Sequence, residues 1–257
     1  MNAALAELLG WTHLVFWQGF AVFLRVGAIV TLMPAFGERS VPMRIKLAVI
    51  LAFVMIIAPA APPIPLPSGM GGFVKIMLTE TLSGLILGIG LRMFVLGLQT
   101  AGSIAAQSTS LSQILGGAVA DPLPAMGYIL IIGGLALAVM TGLHVKAAAL
   151  IILSYGLLPI GQFPGGSVVS QWGLAQVSQA FGLAFTLAAP FVILSVVYNL
   201  TLGAINKAMP QLMVAFVGAP VITAGGLFIL CLAAPMILEL WVNALDQFIA
   251  APLTLPK

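Results

Sequence analysis

The residues able to do chemistry are few and far apart. His13 and His144 stand 131 positions from each other, and Cys231 is the single cysteine. Neither a His-Glu-x-x-His run nor a Gly-x-Ser-x-Gly elbow occurs, so zinc hydrolysis and acyl transfer lack the groups they require. No catalytic residue, metal-ligand set or cofactor motif is read, and the expectation is a protein that is not an enzyme.

What stands out instead is six charges inside apolar surroundings: Arg25, Glu80, Arg92, Lys146, Lys207 and Glu239. A charge in such a segment marks an ion or proton path, or an ion pair that holds helices or subunits together. Subunit-interface or structural pairing is the reading taken for Arg25, Glu80, Arg92 and Lys207. Glu80 and Arg92 cannot pair with each other, because 12 residues on one helix separate them by about 18 Å. His144 is read as a hydrogen-bonded structural residue, His13 as interfacial, and Cys231 as a small packing residue of an apolar run.

The elements that must position these charges are membrane helices. Of 257 residues 61% are hydrophobic and 6% charged, against about 25% charged in an ordinary soluble domain. Uncharged stretches such as Met93 to Ala120, Ala147 to Asn206 and Ala208 to Leu238 each exceed the roughly 20 residues that span a bilayer. Nine basic residues spread over the whole chain do not form the footprint of a nucleic-acid binder. Met1 to His13 holds Glu7, no Lys or Arg and no clear cleavage site, so the first span is read as mature structure rather than a secretory signal.

Helices are predicted at about Leu14–Met33, Met43–Ile57, Phe73–Ile104 and Tyr128–Leu158, followed by two helices longer than 30 residues between Gln171 and Leu253 that meet near Asn206 to Pro210. Six helices with Arg39, Arg44, Lys46 and Lys207 at cytoplasmic turns put both termini outside. Ala58 to Gly72, with five prolines and three glycines, is an extracytoplasmic loop. Gly84 and Gly88 form a GxxxG pair, and Gly134 and Gly142 flank Ala138 at four-residue spacing, so these glycines are expected to admit close helix approach. The last two helices, roughly 50 Å long each, exceed a hydrocarbon core of about 30 Å.

Between the third and fourth helices the composition turns Ser/Gln/Gly-rich from Ala105 to Gly127, closing on Asp121-Pro122 and Pro124. The segment nonetheless keeps Leu111, Ile114, Leu115 and Val119, which a solvated linker does not need and which suit the occlusion of a narrow path. A secondary transporter is the competing class, since buried charges and broken helices are its marks, but no inverted repeat is visible.

Several ordered motifs bear on this choice. They begin with Phe23-Leu24-Arg25-Val26-Gly27, Pro34-Ala35-Phe36-Gly37 and Val41-Pro42-Met43-Arg44-Ile45-Lys46-Leu47. They continue through Glu80, Gly84, Gly88 and Arg92, then His144, Ser154, Pro159 and Gly161. The hairpin adds Ala189-Pro190, Asn199, Leu202-Gly203, Pro210-Gln211, Val217-Gly218 and Pro220. In these the chain resembles, over nearly its whole length, the FliR family of flagellar biosynthetic proteins, whose injectisome counterparts are the SctT proteins.

The resemblance implies an all-α integral membrane subunit of about six long helices. Residues 1–165 would form a FliP-like helical part and 166–257 a FliQ-like hairpin. It implies assembly with FliP-type and FliQ-type subunits, alongside an FlhB-type subunit, at the entry of a type III export channel for unfolded substrates. The site would be the bacterial inner membrane at the flagellar basal body. The segment from about Ser108 to Met126 would then be a plug, with Leu111, Ile114, Leu115, Val119 and Met126 as its gate residues. An injectisome export gate is the alternative.

Overall fold

The structure is a computed structural model that describes residues 2–109, 125–209 and 214–254. Every regular element among them is a helix: α1 (Asn2–Leu32), α2 (Met43–Ile57), α3 (Gly69–Thr109), α4 (Ala125–Met140), α5 (Leu143–Leu157), α6 (Gly166–Ala208) and α7 (Val214–Ala250). The all-α membrane class expected from composition is what the chain adopts.

The α2 bounds are those expected, because Pro42 opens the helix and the proline-rich run closes it. Other elements outrun expectation. α1 starts at Asn2 rather than near Leu14, since Ala3 to Leu9 are mostly strong helix formers. α3 takes in Gly69 to Gly72 at one end and Ala105 to Thr109 at the other, so the predicted loops on both sides are shorter.

The predicted fourth helix is broken into α4 and α5. Gly142 adopts φ 83°, ψ 34° between them, a left-handed conformation that stops an α-helix. Its carbonyl then accepts from the Val145 and Lys146 amides to start α5.

Four helices are long and apolar enough to cross a membrane: Trp11–Leu32, Gly69–Thr109, Gly166–Ala208 and Pro220–Ala250, with α4–α5 a fifth if counted as one broken span. Six crossings are thus not reached among the described residues. α2, with 15 residues, is only about 22 Å long. α6 and α7, with 43 and 37 residues, reach about 65 and 56 Å, twice a hydrocarbon core.

The chain divides into two compact units that each draw on several stretches of sequence. The first comprises Met1–Arg92, Ala138–Gln176 and Gln247–Lys257. In it α1 does much of the organising. Gln18 donates from Nε2 to the carbonyls of Ala58 (3.3 Å) and Pro62 (3.1 Å) and accepts from the Ile64 amide (2.9 Å). Trp17 Nε1 donates to Pro65 O at 3.2 Å. Two side chains thereby satisfy backbone groups of a loop too rich in proline to satisfy itself. Trp17, Phe20 and Phe73 close this end as an aromatic cluster with centroids 5.7 to 6.1 Å apart.

The second unit comprises Met93–Leu137 and Val177–Asp246. Its core holds Leu98, Leu130, Phe191, Ile237 and Trp241, all essentially buried. Trp241 donates from Nε1 to Phe94 O at 2.8 Å, which satisfies the indole inside an apolar core. Pro190 lies inside α6, and Pro220 and Pro235 lie inside α7.

Candidate functional site

Arg25 projects from the C-terminal third of α1 into the core of the first unit. Its side chain and that of Glu80 on α3 are fully buried, and they pair through Nε to Oε2 at 3.0 Å and Nη2 to Oε1 at 3.2 Å. Two of the three remaining N–H groups are also used: Nη1 to Ser154 Oγ at 3.1 Å and Nη2 to Leu158 O at 2.9 Å. The guanidinium lies 4.0 Å from the centroid of the Tyr155 ring, a cation–π stack. A buried charge is tolerated only when paired and hydrogen-bonded, and here Glu80 of α3, Ser154 of α5 and Leu158 at the end of α5 supply the partners.

The α3 glycines explain how α1 and α3 come close enough for this pair. A Cβ on Gly84 would lie 2.5 Å from the Arg25 carbonyl oxygen and 2.8 Å from the Ala28 Cβ, and one on Gly88 would lie 3.0 Å from Ala28 O. The GxxxG face therefore seats against Arg25, Ala28 and Leu32 of α1 in this chain.

Further along α3, Arg92 Nη1 meets Glu38 Oε1 at 2.7 Å with both side chains partly exposed. Lys46 Nζ donates to Gly37 O at 2.9 Å. Three of the four highlighted charges, Arg25, Glu80 and Arg92, thus find partners inside the chain. Lys207 is exposed in the last turn of α6, where a cation suits the helix C-terminus.

Gly134 takes close contacts, its added Cβ falling 2.6 Å from Leu98 Cδ2 and 3.4 Å from Trp241. Gly142 does not: a Cβ there would meet nothing within 4 Å. Its part is the left-handed turn described above, and four-residue spacing alone does not separate the two uses of glycine.

Leu111, Ile114, Leu115 and Val119 lie outside the described residues. The ends of their segment are described. Thr109, the last residue of α3, and Met126, in the first turn of α4, touch through Oγ1 and Sδ at 3.9 Å. Both are buried, and a Cβ on Gly226 of α7 would lie 3.1 Å from Thr109 Cβ and 3.2 Å from Met126 Cε. Gly102 and Gly127 stand so close that a Cβ on Gly127 would be 3.7 Å from the Gly102 Cα. Thr109 and Met126 thus meet at one buried point of the second unit.

Sequence reasoning missed Tyr155 and the Leu158 carbonyl as partners of Arg25, and Glu38 as the partner of Arg92. Glu38 was accessible in principle, being the one acid in the basic cluster beside Pro42. Tyr155 carries no local signal, since an aromatic residue on an apolar helix face reads as core. Ser83 Oγ and Tyr155 OH are buried without a hydrogen-bond partner. Among the described residues no three of His, Cys, Asp and Glu come together in a way that could hold a metal ion.

Comparison with known proteins supplies the context for this arrangement. The chain is 34% identical over 226 residues to the flagellar biosynthetic protein FliR of Caulobacter vibrioides, an alignment covering 86% of this chain and 90% of that protein. It is 28% identical over 240 residues to FliR of Escherichia coli, covering 90% and 88%. It is 27% identical over 207 residues to FliR of Bacillus subtilis, covering 77% and 79%. Residues 16–248 match the family described as bacterial export proteins, family 1, and with relatives of this kind along most of its length the chain belongs to that family, among the FliR proteins.

Proposed function

We propose that this chain is an export-gate subunit of the flagellar type III secretion apparatus in the bacterial inner membrane. It combines with FliP-type, FliQ-type and FlhB-type subunits to form the entry through which unfolded flagellar proteins pass. The segment from about Ser108 to Met126 acts as a plug, with Leu111, Ile114, Leu115, Val119 and Met126 excluding water and ions from the closed path. The mechanism is steric, and no bond is made or broken by the chain.

The observation that carries the reading is the meeting of Thr109 and Met126 at one buried point. A segment whose two ends are clamped together on a helical frame can be displaced without disturbing that frame, as a gate requires. Support also comes from α6 and α7, whose most apolar windows are only 28% and 22% buried, against 61% in α3. Helices twice as long as a bilayer core with so much apolar surface uncovered suit burial against further subunits. The flagellar reading is preferred to the injectisome one because the relatives compared above are named flagellar biosynthetic proteins.

The test replaces residues 110–124 by a short Gly-Ser bridge and compares ion conductance across membranes holding the wild-type and altered complexes. Retained assembly with raised conductance supports the plug. Unchanged conductance in an assembled complex removes it.

A further inference from the structure

The chain between α1 and α2 turns through a strained conformation. Ala35 stands at φ 66°, the one non-glycine residue with positive φ among those described, and the Phe36 amide donates to Pro34 O across it at 2.8 Å. That is a γ-turn of the rare, strained hand. Such a turn persists only where its surroundings fix it, and here they do. Gly37 backs onto the end of α1, where a Cβ would lie 2.5 Å from Thr31 O and 2.8 Å from Met33 O. Lys46 Nζ of α2 holds the Gly37 carbonyl, Arg92 of α3 holds Glu38, and Phe36 sets its ring edge-on to Phe53 of α2 at 6.5 Å.

Two cations thus fix the turn, and two others stand free beside it. Arg39 and Arg44 are exposed, and no described residue engages either. By the positive-inside rule this cluster faces the cytoplasm. A guanidinium presents a fork that matches a carboxylate through two hydrogen bonds, and a backbone fixed in advance lowers the ordering cost of making them. Anionic lipid is attracted by any cation near the membrane surface and gains nothing from a turn held under strain.

From this arrangement we infer that residues 34–41, with Arg44 in the first turn of α2, form a docking site for an acidic segment of another protein subunit on the cytoplasmic side. Carboxylates of that segment seat on Arg39 and Arg44. Strain at Ala35 and the bonds to Gly37 and Glu38 hold the turn in the one shape that such a partner needs. The inference rests on the reading of the chain as one subunit among several, and it is independent of the segment 110–124.

The test places a photo-crosslinking amino acid at the exposed position of Ser40 in the tagged full chain, extracted into nanodiscs with its accompanying subunits, and maps the captured peptide by mass spectrometry. An acidic stretch of another subunit is expected. Arg39→Glu with Arg44→Glu lowers the yield about tenfold or more. Arg39→Lys with Arg44→Lys keeps the charge and still lowers the yield, by a smaller factor, because an ammonium lacks the fork. Glu38→Gln makes the surface more positive while freeing the turn from Arg92, so docking on a fixed turn weakens where attraction by charge alone would strengthen. The lysine and glutamine variants serve alone should the reversal fail to accumulate. Capture of lipid, of a second copy of this chain or of a peptide without acids overturns the site, as does an unchanged or raised yield in any of the variants. A chain that purifies with no other subunit overturns the export-gate reading and the site together, whereas loss of the site leaves that reading intact.

Discussion

Arg25 and Glu80, 55 residues apart, form a two-pronged ion pair with neither side chain exposed to solvent. The pair ties α1 to α3, and through Ser154 Oγ and the Leu158 carbonyl it also holds the C-terminal end of α5. Removing one partner leaves an uncompensated buried charge, whereas removing both does not. Arg25→Met and Glu80→Leu are each expected to destabilise the chain by about 3–5 kcal/mol. The double variant should lose at least about 2 kcal/mol less than their sum. Thermal unfolding of the detergent-extracted protein measures this, and additive losses would show that the pair contributes no coupling.

Close approach of α1 and α3 makes a sharper demand on Gly84 than on any glycine of the α6 middle. Gly84→Ala places a methyl group 2.5 Å from the Arg25 carbonyl oxygen, and backbone must move to receive it. A loss of about 1–3 kcal/mol is expected. Gly182→Ala meets nothing within 4 Å and should stabilise α6 by about 0.5–1 kcal/mol, since Ala is the better helix former. Equal effects at the two positions would contradict the packing of Gly84.

These two cases mark what could be read before the fold was known. The need for close approach at Gly84 and Gly88 was legible because small residues four apart share one helix face. The α2 bounds were legible because proline acts locally. The partners of Arg25 were not, because sequence spacing carries no information on which face of α5 turns toward α1. Composition supplied the cost of burying Arg25 without naming Glu80, Ser154 or Tyr155. The break at Gly142 was hidden for a different reason: its spacing from Gly134 and Ala138 fits a packing stripe as well as it fits a stop.

That break predicts a backbone-specific response. Gly142 sits at φ 83° with open space around it, so Gly142→Ala is penalised by conformation and not by contact. The expected loss is about 1–2 kcal/mol. Gly142→Asn, whose side chain tolerates the left-handed region, should lose less. A larger loss for Asn than for Ala in the same unfolding assay would mean that steric crowding governs the position.

Trp241 and Phe94 are joined across 147 residues by one indole hydrogen bond inside the second unit. Trp241→Phe keeps one aromatic ring in the core while removing the donor and part of the bicycle's volume. A loss of at least about 1 kcal/mol is expected, seen as a fall in Tm of about 2–4 °C or more. Trp241→Ala also opens a cavity and should lose about 3–5 kcal/mol. Equal losses for the two variants would assign the stability to the hydrogen bond rather than to packing.

The last prediction concerns the clamp at the root of the segment 110–124. Gly226 on α7 faces Thr109 and Met126, and it is the absence of a side chain there that lets the two ends of the segment stay together. Gly226→Val inserts an isopropyl group between α7 and Thr109 while leaving the Arg25–Glu80 core of the first unit unaltered. If the segment seals a path only while its ends are held, parting them should raise ion conductance without preventing assembly. The effect should be smaller than that of removing the segment. Measured on the same membranes, conductance at the wild-type level in assembled Gly226→Val would show that the seal does not depend on the clamp. A complex that fails to assemble would assign Gly226 to the packing of the frame instead.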